Sequence, residues 1–265
     1  MSEDLPVSED ARADIVARLD ALARERGVRM LLAVESGSRA WGFHSPDSDY
    51  DVRFLYVHAA DAYLSLFPPR DVIETPIEGL IDLNGWDLGK ALKLMIRGNS
   101  VVHEWLASPI RYCADEAFLA ALAPVARAWR STYADAYHYY GLLQSQWARF
   151  IEGRERVKLK KYFYVIRPAI ALAWLREKPD AAPPMDLPGL LRGVALPRET
   201  FQALEALRVA KRDASEIGEG ARIPALDAYV RAQAEWGLSV KGKAPKPEKQ
   251  LLEETDAFFR KVVRG

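Results

Sequence analysis

The chain has 265 residues, enough for one large or two modest domains, and its 49% hydrophobic and 28% charged content is that of a globular protein, not a disordered one. Its 37 basic and 37 acidic residues give a net charge of +0, so any contact with nucleic acid must come from local clusters, not from an overall field. The lone Cys113 excludes an intrachain disulfide and a multi-cysteine zinc site, and it reads as a small buried apolar residue.

In chain order, the acidic start Met1-Ser2-Glu3-Asp4 lacks a charged-then-apolar signal segment. An amphipathic helix is expected over about residues 8 to 26. Met30 to Val34 then form an apolar run that reads as a buried strand over 30 to 36, stopped by the turn residues Glu35, Ser36 and Gly37. After Gly37 and Ser38 the composition suits a short helix. Its first N–H groups have no partner within the helix, and next to a flexible glycine and a small hydroxyl they suit a phosphate.

Ser45-Pro46-Asp47-Ser48 has turn composition, and Asp47 reads as a turn residue. A strand is expected over 50 to 57, with Asp49 and Asp51 at i and i+2. Alternate residues of a strand share a face, so the two carboxylates aim at one point and repel unless a cation lies between them. A further carboxylate is available on a neighbouring run. The alternating run near 79 to 84 offers Asp82, on the opposite face from Ile81 and Leu83.

Asp87 competes with Asp82 for that place. It immediately precedes the stripe Leu88, Ala91, Leu92 and Met95, which makes it a natural helix N-cap, with Gly98-Asn99 closing the far end. Lys90, Lys93 and Arg97 lie off that stripe, on a face that suits solvent or a substrate equally well.

After residue 112 strand signals nearly vanish and helical spacing takes over, as in 117 to 129, 133 to 150 and 157 to 176. The expected organisation is therefore an α/β domain over 1–112 and an α-helical domain over 113–265. Within the latter, Lys160, Tyr164 and Arg167 fall at i, i+4 and i+7 with Lys161 adjoining, and Pro168 should kink the helix. Those cations suit a triphosphate tail, or ion pairs with Glu152, Glu155 or Glu177.

Tyr137, Tyr140, Gln144 and Trp147 recur at helical spacing beside His138, a pattern of core packing more than of base stacking. Residues 178 to 188 form a proline-rich loop and 241 to 247 a lysine- and proline-rich surface linker. The most apolar stretch, 162 to 175, is interrupted by Arg167 and falls short of the ~20 residues a bilayer requires. A cytoplasmic protein without a membrane partner is expected.

Ser36-Gly37-Ser38 followed by Asp49-Tyr50-Asp51 resembles the Gly-Ser then Asp-x-Asp signature of the DNA polymerase beta-like nucleotidyltransferase superfamily. Gly85-Trp86-Asp87-Leu88-Gly89-Lys90-Ala91, Gly98-Asn99-Ser100 and Glu104-Trp105-Leu106-Ala107-Ser108-Pro109 are similar to its RNA-ligase-associated, or YcgL-like, subgroup. The likeness covers roughly 30 to 112, with a weaker echo over 160 to 168.

The resemblance implies an α/β (α+β) nucleotidyltransferase domain with a small mixed sheet, followed by an α-helical domain. It also implies transfer of a nucleoside monophosphate from an NTP, ATP by default, by the two-metal route. Asp49, Asp51 and Asp82 would be the catalytic carboxylates and the ligands of two Mg²⁺ ions, or of Mn²⁺. Gly37, Ser38, Arg39, Lys160, Lys161, Tyr164 and Arg167 would bind the nucleotide. The acceptor it implies is an RNA end, with a protein or a small molecule as the alternative, and a nucleotide-binding interaction protein that keeps the fold without turnover as the reading outside catalysis.

Overall fold

The computed structural model describes residues 6–213 and 218–265, the side chains of residues 212 and 213 excepted. The chain divides into two compact units. The first comprises Met1–Ala40, Asp49–Arg130 and Lys246–Gly265; the second comprises Trp41–Ser48 and Ser131–Pro245.

The first unit opens with α1 (Glu9–Arg26), whose N-cap Ser8 accepts from the Ala11 amide and whose end is closed by Gly27 at φ 61°. It buries Ile15, Leu19 and Leu22, spaced at i, i+4 and i+7. Next come β1 (Val28–Ser36), the single turn α2 (Gly37–Ala40), β2 (Tyr50–His58), α3 (Ala60–Tyr63), β3 (Val72–Glu74) and β4 (Ile81–Asp87). The remainder of this stretch is α4 (Leu88–Ile96), α5 (Val101–Leu106), β5 (Arg111–Ala114) and α6 (Glu116–Trp129).

The five strands form one mixed sheet in the order β3-β4-β2-β1-β5. The β2–β4 pair is parallel and the others are antiparallel. Strand alternation gives the sheet two apolar faces. Ala33, Val52, Phe54, Tyr56, Ile81 and Leu83 share a core with α1, while Leu32, Val34, Leu55 and Val57 share one with α4, α5 and α6. Asp51, Arg53 and Asp82 have the parity of the second face, just beyond the end of its apolar filling.

In the second unit, α7 (Thr132–Phe150) leads to β6 (Arg156–Lys158), a 3₁₀ turn (Leu159–Lys161) and α8 (Tyr162–Glu177). Then follow α9 (Leu187–Gly193), α10 (Arg198–Asp213), β7 (Glu219–Ala221) and α11 (Pro224–Ser239). The central helix is α8. From Tyr162 to Leu175 it is buried at every position except Tyr164 and Trp174, which packing by α7, α9 and α11 around it explains. Trp41 and Phe43 also belong to this core, and Phe43 stacks on Phe163 at 4.7 Å.

The chain returns to the first unit in α12 (Lys249–Arg264), where Phe258, Phe259 and Val262 pack onto the α4–α6 core and the Trp129 indole donates to Thr255 at 2.7 Å.

The sequence-based boundary after residue 112 is therefore corrected. Strand β5 hydrogen-bonds to β1, and the Phe118 and Leu122 stripe of α6 fills the sheet's second face, so the first unit runs on to Arg130 and regains the last helix. Residues 156 to 161 also depart from the expected helix. Val157 is buried between exposed Arg156 and Lys158, a strand pattern, and it pairs with Gly220. Cys113 is half-buried, not buried. Residues 241 to 247 are exposed, and none of the helices among the described residues is long and apolar enough to cross a membrane.

Candidate active site

The parallel pairing of β2 and β4 sets Asp51 directly beside Asp82. Between them lies Arg53, two residues along β2 on the same face. Its Nη2 donates to Asp82 Oδ2 at 2.8 Å and to Asp51 Oδ1 at 3.1 Å, while its Nη1 donates to the Val52 and Asp82 carbonyls. Asp49 stands at the exposed mouth of the strand. Burial holds the Asp51 carboxyl above its ordinary range, with Arg53 opposing and Asp82 and Asp49 reinforcing the rise.

The structure thus brings Asp51 and Asp82 together and leaves Asp49 outside that contact. Among the described residues, no three carboxylate, imidazole or thiol groups converge closely enough to hold a metal. Two carboxylate oxygens do meet at a single cationic nitrogen, and that donor set suits a divalent cation as well as it suits a guanidinium.

A residue missed in the sequence stands behind this pair. Glu35, at the end of β1, is fully buried. Its Oε1 accepts the Asp51 amide at 2.8 Å, and its Oε2 accepts the Tyr112 hydroxyl. The Glu35 carbonyl accepts Ser108 Oγ at 2.7 Å, and the Glu35 amide donates to the Ile110 carbonyl. Burial pushes the Glu35 carboxyl up to about 7, against the two hydrogen bonds that favour its charged form. The available signal in the sequence was a glutamate closing the apolar run Met30 to Val34 just before the Ser-Gly-Ser turn.

Gly37 has φ 66°, in the left-handed region, and a Cβ built on it would lie 1.8 Å from Asp51 Oδ2. The glycine of the expected phosphate cradle is therefore also the space that the Asp51 carboxylate fills. Ser38 follows it and is buried. Arg39 is buried too. Its Nη1 donates to the Pro6 carbonyl at 2.7 Å, its Nε to the Asp49 carbonyl at 3.2 Å, and its guanidinium lies 3.9 Å from the Tyr50 ring centre.

Asp87 is the N-cap of α4. One oxygen accepts the Gly89 amide at 2.7 Å and the other accepts the Tyr63 hydroxyl, so both oxygens face away from a metal role. Lys90 is paired with Asp71 at 3.1 Å.

The remaining nucleotide-binding candidates belong to the helical unit. Lys160 and Lys161 lie in the 3₁₀ turn, not on the helix proper, and Tyr164 is half-buried in the first turn of α8. Arg167 is buried within the unit, where its Nε donates to the Met185 carbonyl at 2.9 Å and its guanidinium lies 4.6 Å from the Trp41 ring.

Residues 11–261 match the family described as the RNA repair pathway DNA polymerase beta family, RlaP. The chain is 37% identical over 251 residues to the uncharacterized protein YcgL of Bacillus subtilis, covering 94% of this chain and 95% of that one. Among solved structures, a nucleotidyltransferase-like protein from Exiguobacterium sibiricum aligns with a TM-score of 0.36 and 13% identity, over 86% of this chain and 77% of that one.

Proposed function

Because the chain belongs to the RNA repair pathway DNA polymerase beta family and is a nucleotidyltransferase, we propose that it moves a nucleoside monophosphate from an NTP, ATP by preference, to a hydroxyl at an RNA end. In that reaction the acceptor oxygen forms a bond to the α-phosphorus. The bond from that phosphorus to the β-phosphate breaks, and pyrophosphate leaves.

The carrying observation is the convergence of Asp51 and Asp82, from parallel neighbouring strands, on one cationic nitrogen. With Asp49 at the strand mouth, they are the residues that would hold two Mg²⁺ ions, or Mn²⁺. Such ions supply positive charge for the triphosphate and lower the pKa of the attacking hydroxyl.

The chain's own residues prepare this centre. Glu35 fixes the backbone of Asp51, Gly37 leaves room for its carboxylate, and Arg53 holds Asp51 and Asp82 together. Gly37 and Ser38 offer a backbone approach for phosphate. Arg39 bonds the Pro6 and Asp49 carbonyls, and Arg167 bonds the Met185 carbonyl. The net charge of +0 favours a second reading, in which a protein or small-molecule hydroxyl is the acceptor.

The test is pyrophosphate release from ATP and Mg²⁺, followed by incubation of labelled ATP with RNA, total protein and metabolite pools. Label is expected in RNA. Asp51→Asn or Asp49→Asn should leave the fold intact and reduce transfer to below about one percent. Turnover near the parent rate in both variants would remove these carboxylates from the chemistry.

A further inference from the structure

The helical unit holds an open cleft of about 710 Å³, a volume typical of small-molecule sites, and none of its lining residues belongs to the carboxylate centre. It lies where α11 packs on α8 and on the first turn of α10. Ala225, Ala228 and Ala232 recur at i, i+3 and i+7 along one face of α11 and, with Ala173 of α8, give the cleft small-residue walls. Buried Thr200 ties the start of α10 to α11, since its Oγ1 donates to the Ala225 carbonyl at 3.4 Å.

Two polar residues on that same face of α11 also line the cleft. Tyr229 and Gln233 are only 7% and 4% exposed, yet Tyr229 Oη and Gln233 Oε1 have no hydrogen-bond partner among the described residues. A buried polar atom without a partner destabilises the fold, and phenylalanine and leucine would fill the same space without that loss. Exposed Arg176, Glu177, Arg198 and Glu199 form the rim. Burial raises the Tyr229 phenol above its ordinary range, while Arg176 opposes the rise and Glu177 adds to it, so both rim charges act on that hydroxyl. Two guanidiniums and two carboxylates leave the rim with no net charge.

We propose that this cleft binds a small zwitterion of the amino-acid class, free or as a short peptide. Its carboxylate would accept from Tyr229 Oη and pair with Arg176 or Arg198, and its ammonium would donate to Gln233 Oε1 and pair with Glu177 or Glu199. The alanine walls leave room for an aliphatic side chain. A chain of phosphates would be repelled by Glu177 and Glu199, and a hydrocarbon would leave both buried oxygens without a partner. The proposal does not depend on Asp49, Asp51 or Asp82, so its failure would leave the transfer reading untouched.

The experiment melts the full chain with millimolar pools of free L-amino acids, of unblocked tripeptides, and of the same tripeptides acetylated and amidated at their ends. An unblocked pool should raise the melting temperature by about 2 °C or more, and the blocked pool should not. A rise with the free pool assigns the ligand to single amino acids, and a rise with the tripeptides alone assigns it to peptides. Calorimetry with the active component should then show a loss of tenfold or more in Tyr229→Phe and in Gln233→Leu, both melting no lower than the parent without ligand. Ala228→Trp, which fills the cleft from its exposed side, should abolish binding. No rise with either unblocked pool, an equal rise with the blocked one, or parental affinity in Gln233→Leu and Ala228→Trp overturns the proposal. So does melting of both Tyr229→Phe and Gln233→Leu well below the parent, which would show that the two polar groups serve the fold.

Discussion

The carboxylate centre of the first unit and the lysine cluster of the second treat charge in opposite ways. On the sheet, each carboxylate is answered by a neighbour that strand register supplies: Arg53 for Asp51 and Asp82, and Tyr112 with the Asp51 amide for Glu35. In the helical unit, Lys211 and Lys161 rest on aromatic rings with no carboxylate of the described residues within salt-bridge distance. A sheet keeps its charges together without a ligand because adjacent strands hold them less than 5 Å apart. The lysine cluster lacks such a device, and its cost falls on stability.

The largest expected effect is at Gly37. Gly37→Ala places a Cβ on the Asp51 carboxylate at a left-handed φ, so overpacking and strain together should cost about 3 kcal/mol or more, and transfer should fall by more than tenfold. Denaturant midpoints and pyrophosphate release check both effects. A variant with parental stability and rate would mean that Asp51 does not occupy that space.

Arg53→Met tests whether the first centre is neutralised from within. The ion pairs are about a quarter exposed, so their loss should cost on the order of 1–2 kcal/mol in metal-free protein, with the fold retained. Millimolar Mn²⁺ should then raise the melting temperature of the variant more than that of the parent, because the unpaired carboxylates gain a cation. An equal rise in both proteins would show that Arg53 does not stand where a cation binds.

Lys211→Met probes the other side of the comparison, with the opposite sign. Because the folded pKa of about 8 lies below the ordinary 10.5, the native state binds fewer protons than the unfolded chain between those values. The parent therefore carries the full penalty below about pH 8 and sheds it as the pH rises towards 10.5. At pH 7 the variant should be the more stable by about 1 kcal/mol, and the gap should close by pH 10. Paired melting curves across that range measure it, and a gap independent of pH would mean the ammonium is not desolvated.

The smallest effect is at Asp87. Asn caps a helix nearly as well as Asp, so Asp87→Asn should cost about 1 kcal/mol or less and leave transfer near the parent rate. Loss of activity comparable to that of Asp82→Asn would exchange the roles of the two aspartates.

The sequence by itself determined β1, β2 and β4, because apolar runs such as Met30 to Val34 and the alternation around Asp82 report burial directly, and it determined the helix stripe capped by Asp87, but it missed the four short strands β3, β5, β6 and β7. The expectation that Asp49 and Asp51 share one strand face rested only on the two-residue period, and β2 begins at Tyr50, one residue past Asp49. Three features needed the tertiary structure. The pairing of Asp51 with Asp82 depends on a parallel register between strands about thirty residues apart, which no local pattern encodes. The role of Arg53 follows from that register and those of Glu35 and Gly37 from the antiparallel pairing of β1 with β2, since each acts through a neighbour on another segment. The segment Trp41–Ser48 belongs to the second unit and the last helix to the first because long-range packing of Phe43 and Phe259, not local propensity, decides which core each joins.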